Sequence, residues 1–181
     1  MFKILNISTI QPFELLVWLG RQYRQSFYVR ELAKKLSMSV GAASGYLTAL
    51  REMDLVTSEK RGRTLLYRAN ISHPVVREAK IFSTLLELSP LISAIQTMVS
   101  RAILFGSCAE GEDTFESDID LFVEARDHTS VSLVLSHYEV ASSRKISPLI
   151  VTPEDALQLK VRDRPLYERI QRGKVLVGEE L

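Results

Sequence analysis

Apolar residues recur along this chain at two spacings, and the changes between them lay out its elements. Phe13, Leu15, Leu16, Trp18 and Leu19 form a helical stripe that begins just after Pro12, a residue tolerated in the first turn of a helix. Tyr28 to Leu36 reads as a second, shorter helix with Leu32, Ala33 and Leu36 facing inward, and Ser37-Met38-Ser39 turns the chain. From Val40 to Met53 the residues Val40, Ala43, Tyr46, Leu47 and Leu50 return at spacings of three and four, with Ser39 placed as N-cap. The segments 55–59 and 64–68 then read as two strands joined by Lys60-Arg61-Gly62-Arg63, a basic hairpin tip.

After His73-Pro74 the helical spacing resumes in Val75 to Leu88 and again in Leu91 to Val99. Ile81, Leu85, Leu86, Leu88, Leu91, Ile92 and Ile95 are too many apolar residues for a plain linker; they suit a dimer surface or the first helix of a second domain. Ala102-Ile103-Leu104-Phe105 is short, apolar and stopped at once by Gly106, as a buried strand would be. A second strand spans Asp118 to Val123, a helix is expected over Ser130 to Tyr138, and a third strand over Lys145 to Val151. Thr152-Pro153-Glu154-Asp155 opens another helix, with Thr152 as N-cap and Pro153 at the first position. Asp163-Arg164-Pro165 breaks it, Leu166 to Gln171 is helical again, and Lys174 to Gly178 ends as a short strand. The order predicts a small mixed sheet with helices on one side. No repeat or low-complexity segment interrupts it.

The segment from Gly106 to Asp120 carries the chemistry. Gly106 and Ser107 stand at a strand end, and Asp118 and Asp120 are two apart, so within a strand they share a face while Ile119, Leu121 and Val123 turn to the core. Like charges this close raise each other's pKa unless a cation lies between them. A hard divalent ion, Mg2+, suits such a pair, because it takes oxygen ligands and keeps room for phosphate oxygens.

Gly-Ser, ten residues, then Asp-x-Asp preceded by Ser117, resembles the polymerase-beta-type nucleotidyltransferase superfamily and its minimal branch, over residues 98–181. The resemblance implies that Gly106, Ser107 and Ser117 bind the phosphates of a nucleoside triphosphate, and that Asp118 and Asp120 hold Mg2+ and act as the catalytic residues. Two departures bear on catalysis. The family usually carries a third carboxylate on a later strand, whereas Lys145 to Val151 holds no acid, leaving Ser147 or Leu149 in that register. The family's frequent Ala-Arg-Gly is here Ala109-Glu110-Gly111, an anion in place of a cation. Glu139, Glu154 and Asp155 are the acids that remain as substitutes.

The helix, helix-turn-helix and basic hairpin of residues 11–72 resemble a winged-helix DNA-binding domain of the small bacterial and archaeal repressor type. On that resemblance the third helix enters the major groove of DNA, presenting Ser39, Ala42, Ser44 and Thr48, with Tyr46 and Arg51 packing or touching backbone. Lys60, Arg61 and Arg63 straddle flanking phosphates and position the domain without reading sequence.

Charge agrees with this division. Up to residue 72 there are 11 Lys and Arg against 5 Asp and Glu, a balance of +6, and the remaining 12 against 17 give −5, a difference that the net +1 conceals. A basic first part is an electrostatic footprint for nucleic acid. With 46% hydrophobic residues, 181 residues suffice for two small cores. No run of about 18 apolar residues is present to span a membrane, and Met1 to Asn6 lacks the charged and apolar regions of a signal peptide. Cys108, the single cysteine, suits a reducing compartment and small filling; His73, His128 and His137 lie apart from any Cys or paired acid, so none points to zinc.

The expectation is therefore an α+β chain: a winged helix-turn-helix at 1–72, linker or dimerisation helices at 73–98, and a mixed-sheet nucleotidyltransferase-like domain at 99–181. It is expected in the cytoplasm, as a homodimer on DNA. Two functions fit: a transcription regulator binding Mg2+–nucleoside triphosphate, or an active transferase passing a nucleotide to a protein or nucleic-acid hydroxyl. Minimal family members paired with HEPN-type proteins act as antitoxins in the second way, which makes such a partner conceivable.

Overall fold

The structure, a computed structural model, describes residues 11–141 and 144–179. The chain divides into two compact units, Met1–Ser83 and Thr84–Leu181. The signal-peptide reading of the first six residues lies outside the described residues, as does the side chain of Glu139.

In the first unit α1 (Gln11–Arg21) precedes β1 (Phe27–Tyr28), α2 (Val29–Lys35), α3 (Val40–Glu52), β2 (Val56–Arg61) and β3 (Thr64–Ala69). The strands form one antiparallel sheet in the order β1-β3-β2. Three helices with a three-stranded sheet in this order make a winged helix-turn-helix. Leu15, Leu19, Leu32 and Leu47, all fully buried, meet Leu55, Val56 and Tyr67 in one core. The tight turn between α2 and α3 uses Ser37 at a positive φ of 52°, after which the Met38 amide donates to Ala33 O at 3.0 Å. Tyr28, expected inside the second helix, instead belongs to β1, where it pairs with Leu66 and precedes α2 as its N-cap. The Glu31 carboxylate accepts the Tyr28 amide at 2.8 Å, a local bond that fixes where the helix starts.

α4 (Pro74–Ile95) is one helix where the sequence suggests two. Pro90 costs an interior helix about 3 kcal/mol. Leu88, Leu91 and Ile95, each 1% exposed or less, offset that cost by burial at helical spacing.

The second unit continues with β4 (Arg101–Phe105), α5 (Ser107–Glu110), β5 (Ile119–Glu124), α6 (His128–Ala141), β6 (Ile146–Val151), α7 (Pro153–Arg162), α8 (Arg164–Gln171) and β7 (Lys174–Val177). Its sheet order is β6-β5-β4-β7, with β5 and β6 parallel and the other neighbours antiparallel. Helices cover both faces, correcting the one-sided arrangement expected. On one face Leu104, Ile119, Leu121 and Val123 pack with Leu88, Leu91 and Ile95 of α4 and with Val131 and Leu135 of α6. On the other, Ile103, Phe105 and Phe122 pack with Ala156 of α7 and Ile170 of α8. Phe122 has the parity of Asp120, so the face that bears the acid at its edge is apolar one step further in. No described helix is long and apolar enough to cross a membrane.

Candidate functional site

Three neighbouring strand ends build the site. β4 ends at Phe105, which pairs with Asp120 of β5, and Asp120 pairs in turn with Ser147 of β6. Asp120 thus lies between Phe105 and Ser147, and the position beside it on β6 holds a hydroxyl and no acid. Asp118 lies one residue before β5, outside the strand in which it was expected. Its carboxylate is more exposed than that of Asp120, 43% against 29%, so Asp120 is the more enclosed member of the pair.

Gly106 has φ 69° and ψ −156°, a conformation open essentially to glycine alone. A Cβ there would run into Asp120 Oδ2, so the glycine both turns the chain into α5 and lets the carboxylate lie against the backbone. Ser107 opens α5, and Gly111, left-handed at φ 68°, closes it. Ser117 accepts the Thr114 amide through its hydroxyl at 2.9 Å, a bond that shapes the loop leading to Asp118.

Charge around the two acids comes from elements far along the chain. Lys145 Nζ lies 3.5 Å from Asp118 Oδ2, and Arg169 Nη2 of α8 lies 4.0 Å from Asp120 Oδ2. The Arg169 guanidinium also sits over the Phe105 ring, 5.6 Å from its centroid. Burial lifts the Asp120 carboxyl above its ordinary pKa, Arg169 opposes the rise, and Asp118 adds to it. Each aspartate thus has a cation within 4.0 Å of its carboxylate. Glu154 is exposed, and Asp155 is taken up at the start of α7, where its amide donates to Thr152 and its carboxylate pairs with Arg162.

Behind the site lies a buried ionic cluster that the sequence did not announce. Arg144, with a side chain 2% exposed, donates to Asp113 Oδ2 at 2.9 Å, Glu87 Oε2 at 2.8 Å and Thr84 Oγ1 at 3.0 Å. It also reaches Cys108 Sγ at 3.5 Å, and Cys108 donates to the Asp118 carbonyl at 3.4 Å. The cysteine is fully buried, in keeping with a filling role. Burial alone would lower the pKa of the guanidinium, but Glu87, Cys108 and Asp113 together hold it above its ordinary value. Arg144 so ties the loop between Ser107 and Asp118 to α4.

In the first unit Ser39, Ser44, Lys60, Arg61 and Arg63 are exposed, while Ala42 and Thr48 are half-buried. Ser39 caps α3 by accepting the Ala42 amide at 3.1 Å, and Thr48 donates to Ser44 O at 3.0 Å. Tyr46 donates to Gln11 Oε1 at 3.1 Å, and Arg51 reaches Ser58 Oγ of β2 at 3.5 Å, so both serve the unit's own packing. Gly62, at φ 63°, follows Arg61 and precedes Arg63, the place where a type II′ hairpin needs glycine. A groove of ≈ 710 Å³ lies between the start of α3 and β3, lined among others by Tyr28, Arg30, Val40, Ser44, Arg63 and Leu65. Arg30 lines it from the start of α2, a residue that the sequence places only in the second helix.

Residues 91–180 match the family described as Polymerase beta, Nucleotidyltransferase. The second half of the chain is thus a domain of the polymerase-beta nucleotidyltransferase family. No curated protein matches the sequence. Among solved structures, the chain is similar to the adhesin competence repressor AdcR from Streptococcus pyogenes, at 19% identity and a TM-score of 0.39, over 49% of this chain and 66% of that one. It is also similar to the homodimeric winged helix-turn-helix DNA-binding domain Mb0332 from Mycobacterium bovis, at 20% identity and a TM-score of 0.31, over 49% and 72%. Lactococcus lactis ZitR in complex with DNA aligns at 22% identity and a TM-score of 0.36, over 52% and 68%. The chain spans just under two thirds of the first of these. The winged-helix assignment rests instead on the element order and strand pairing given above.

Proposed function

We propose that this protein is a DNA-binding transcription regulator whose second domain binds Mg2+–nucleoside triphosphate and alters DNA affinity in response. The observation that carries the reading is the pairing of Asp120 with Ser147: the phosphate turn and both aspartates are retained, while the neighbouring strand offers no third carboxylate. Binding needs the first set; transfer chemistry usually needs the third acid as ligand or base.

Asp118 and Asp120 fit Mg2+ by donor type, two hard oxygens that leave the rest of the shell to water and phosphate. Among the described residues no group of three or more His, Cys, Asp or Glu gathers to hold a metal ion. When bound, Mg2+ supplies charge neutralisation of the triphosphate. Gly106 turns the chain against Asp120 at the strand end, Ser107 offers a hydroxyl to a phosphate there, and Ser117 holds the loop that carries Asp118. On DNA, α3 enters the major groove with Ser39, Ala42, Ser44 and Thr48, and Lys60, Arg61 and Arg63 contact phosphates from the wing. Pairing of two chains through residues 73–98 doubles those contacts, and Val75 and Phe82, exposed on α4, suit such a surface.

Retention of the phosphate turn against Asp120 also supports a second reading, nucleotide transfer to a hydroxyl. There the acceptor oxygen bonds to the α-phosphorus, the bond to pyrophosphate breaks, and the hydroxyl proton leaves to a base. A HEPN-type protein is one acceptor to test.

The test selects a DNA site from a random pool, then measures its affinity with and without Mg2+–nucleoside triphosphate for wild type and for Asp118→Asn, Asp120→Asn. A nucleotide-dependent shift in wild type alone, with the nucleotide recovered intact, supports regulation. Label moving from an α-labelled nucleotide to a macromolecule supports transfer, and no response of any kind in wild type overturns both.

A further inference from the structure

The two cations at the site have no role in the reading above, and they come from elements that the motif does not include. Arg169 Nη2 lies 4.0 Å from Asp120 Oδ2, well beyond the roughly 2.8 Å of a charge-assisted hydrogen bond. Among the described residues no hydrogen bond occupies its guanidinium; the Phe105 ring at 5.6 Å is what steadies it. The same Nη2 stands 3.5 Å from the point where a Cβ on Gly106 would be, a point that Asp120 Oδ2 fills, so the guanidinium borders both the glycine turn and the acid. Lys145 Nζ stands 3.5 Å from Asp118 on the other acid. Both side chains are more than half exposed and long, so each can move away from its carboxylate at little cost.

We propose that Arg169, with Lys145, is a polyphosphate clamp that exchanges the two aspartates for phosphate oxygens when a metal-bound polyphosphate enters. This deepens the nucleotide-binding reading and rests on it. A planar guanidinium fork on an aromatic ring suits two phosphate oxygens at once, and the ammonium serves as a point charge beside them. The arrangement also sets an order. Bare metal meets carboxylates already neutralised by cations and is repelled by them, whereas metal arriving with a phosphate chain supplies both exchanges together. The site therefore favours the metal–polyphosphate unit over the free ion. Arg169 also restores a cation to a site whose own loop carries Glu110.

The test measures two equilibria on the full chain: Mn2+ alone by electron paramagnetic resonance, and Mg2+ with a non-hydrolysable nucleoside triphosphate, or with inorganic triphosphate, by calorimetry. Arg169→Met keeps an unbranched apolar stem and removes the charge with its place over Phe105; Arg169→Lys keeps the charge without the fork. Arg169→Met is expected to bind bare Mn2+ more tightly and the nucleotide about tenfold or more weakly, with Arg169→Lys in between and inorganic triphosphate competing in wild type. Equal nucleotide affinity in wild type and Arg169→Met would overturn the clamp and leave the nucleotide reading standing. A fall in both affinities would make Arg169 a packing residue and overturn it also. Wild type binding neither nucleotide nor triphosphate would remove the underlying reading and the clamp with it.

Discussion

Replacing Arg144 by Met tests the internal frame of the nucleotidyltransferase domain. Arg144 is 2% exposed and faces two carboxylates, Glu87 at 2.8 Å and Asp113 at 2.9 Å, the second wholly buried. A buried pair contributes little compared with an apolar substitute of the same shape, but removing one member strands the other charge at a cost of about 3–5 kcal/mol. For a unit of this size each kcal/mol moves Tm by roughly 4–8 °C, so its transition should fall by about 12–40 °C. Thermal unfolding of the full chain, followed by circular dichroism and calorimetry, reads this directly. The companion variants are Asp113→Leu and the double Arg144→Met, Asp113→Leu. If the pair is coupled as its geometry states, the double variant loses less than the two single losses combined, by about 2 kcal/mol or more. Hydrogen exchange should also show residues 112–117 opening in Arg144→Met, since the pair anchors the loop between Ser107 and Asp118. A loss below about 1 kcal/mol, or strict additivity, would refute the reasoning.

Other outcomes follow from single features. Asp120→Asn should raise the Tm of the metal-free protein at neutral pH, because burial and Asp118 both disfavour the charged form. A carboxyl whose folded pKa lies above its unfolded value burdens the fold only when ionised, so the gain over wild type should shrink as pH falls through the carboxylate range, and a constant gain would contradict it. Ser39→Ala removes the cap of α3 and should cost the first unit about 1 kcal/mol in chemical denaturation, with no change meaning that the cap is idle. Changing Lys60, Arg61 and Arg63 together to Ala should weaken DNA binding at every sequence and make the salt slope shallower, by about one for each phosphate the wing no longer neutralises and about three in all. An unchanged slope would remove the wing from the interface.

Long periodic segments are legible in the sequence: α1, α3 and the β2–β3 hairpin follow from apolar spacing, a cap and a glycine turn. The Gly106 and Asp118–Asp120 spacing is legible too, because a strand end and a two-residue repeat are local patterns. What fails to show is set by tertiary contact. β1 has two residues and no period of its own; it exists because Phe27 and Tyr28 pair with β3. α5 has four residues and forms where Gly106 turns against Asp120. Pro90 reads as a break, yet burial on both sides of it carries the helix through. Arg169 and Lys145 approach the acids only once α8 and β6 are placed, and Arg144, which reads only as part of a loop, becomes the centre of a buried cluster. Helices on both sheet faces stay hidden because Phe122 and Phe105 read only as strand formers, whereas their packing partners lie in α7 and α8.

Equilibrium binding of Mg2+–nucleoside triphosphate to the full chain, by calorimetry with wild type beside Asp118→Asn, Asp120→Asn, decides whether the second domain is a nucleotide site. Saturable binding in wild type that needs Mg2+ and is lost in the double variant, with the nucleotide recovered intact, is the predicted result. Binding that persists in the double variant, or none in wild type with any of the four bases, would contradict it.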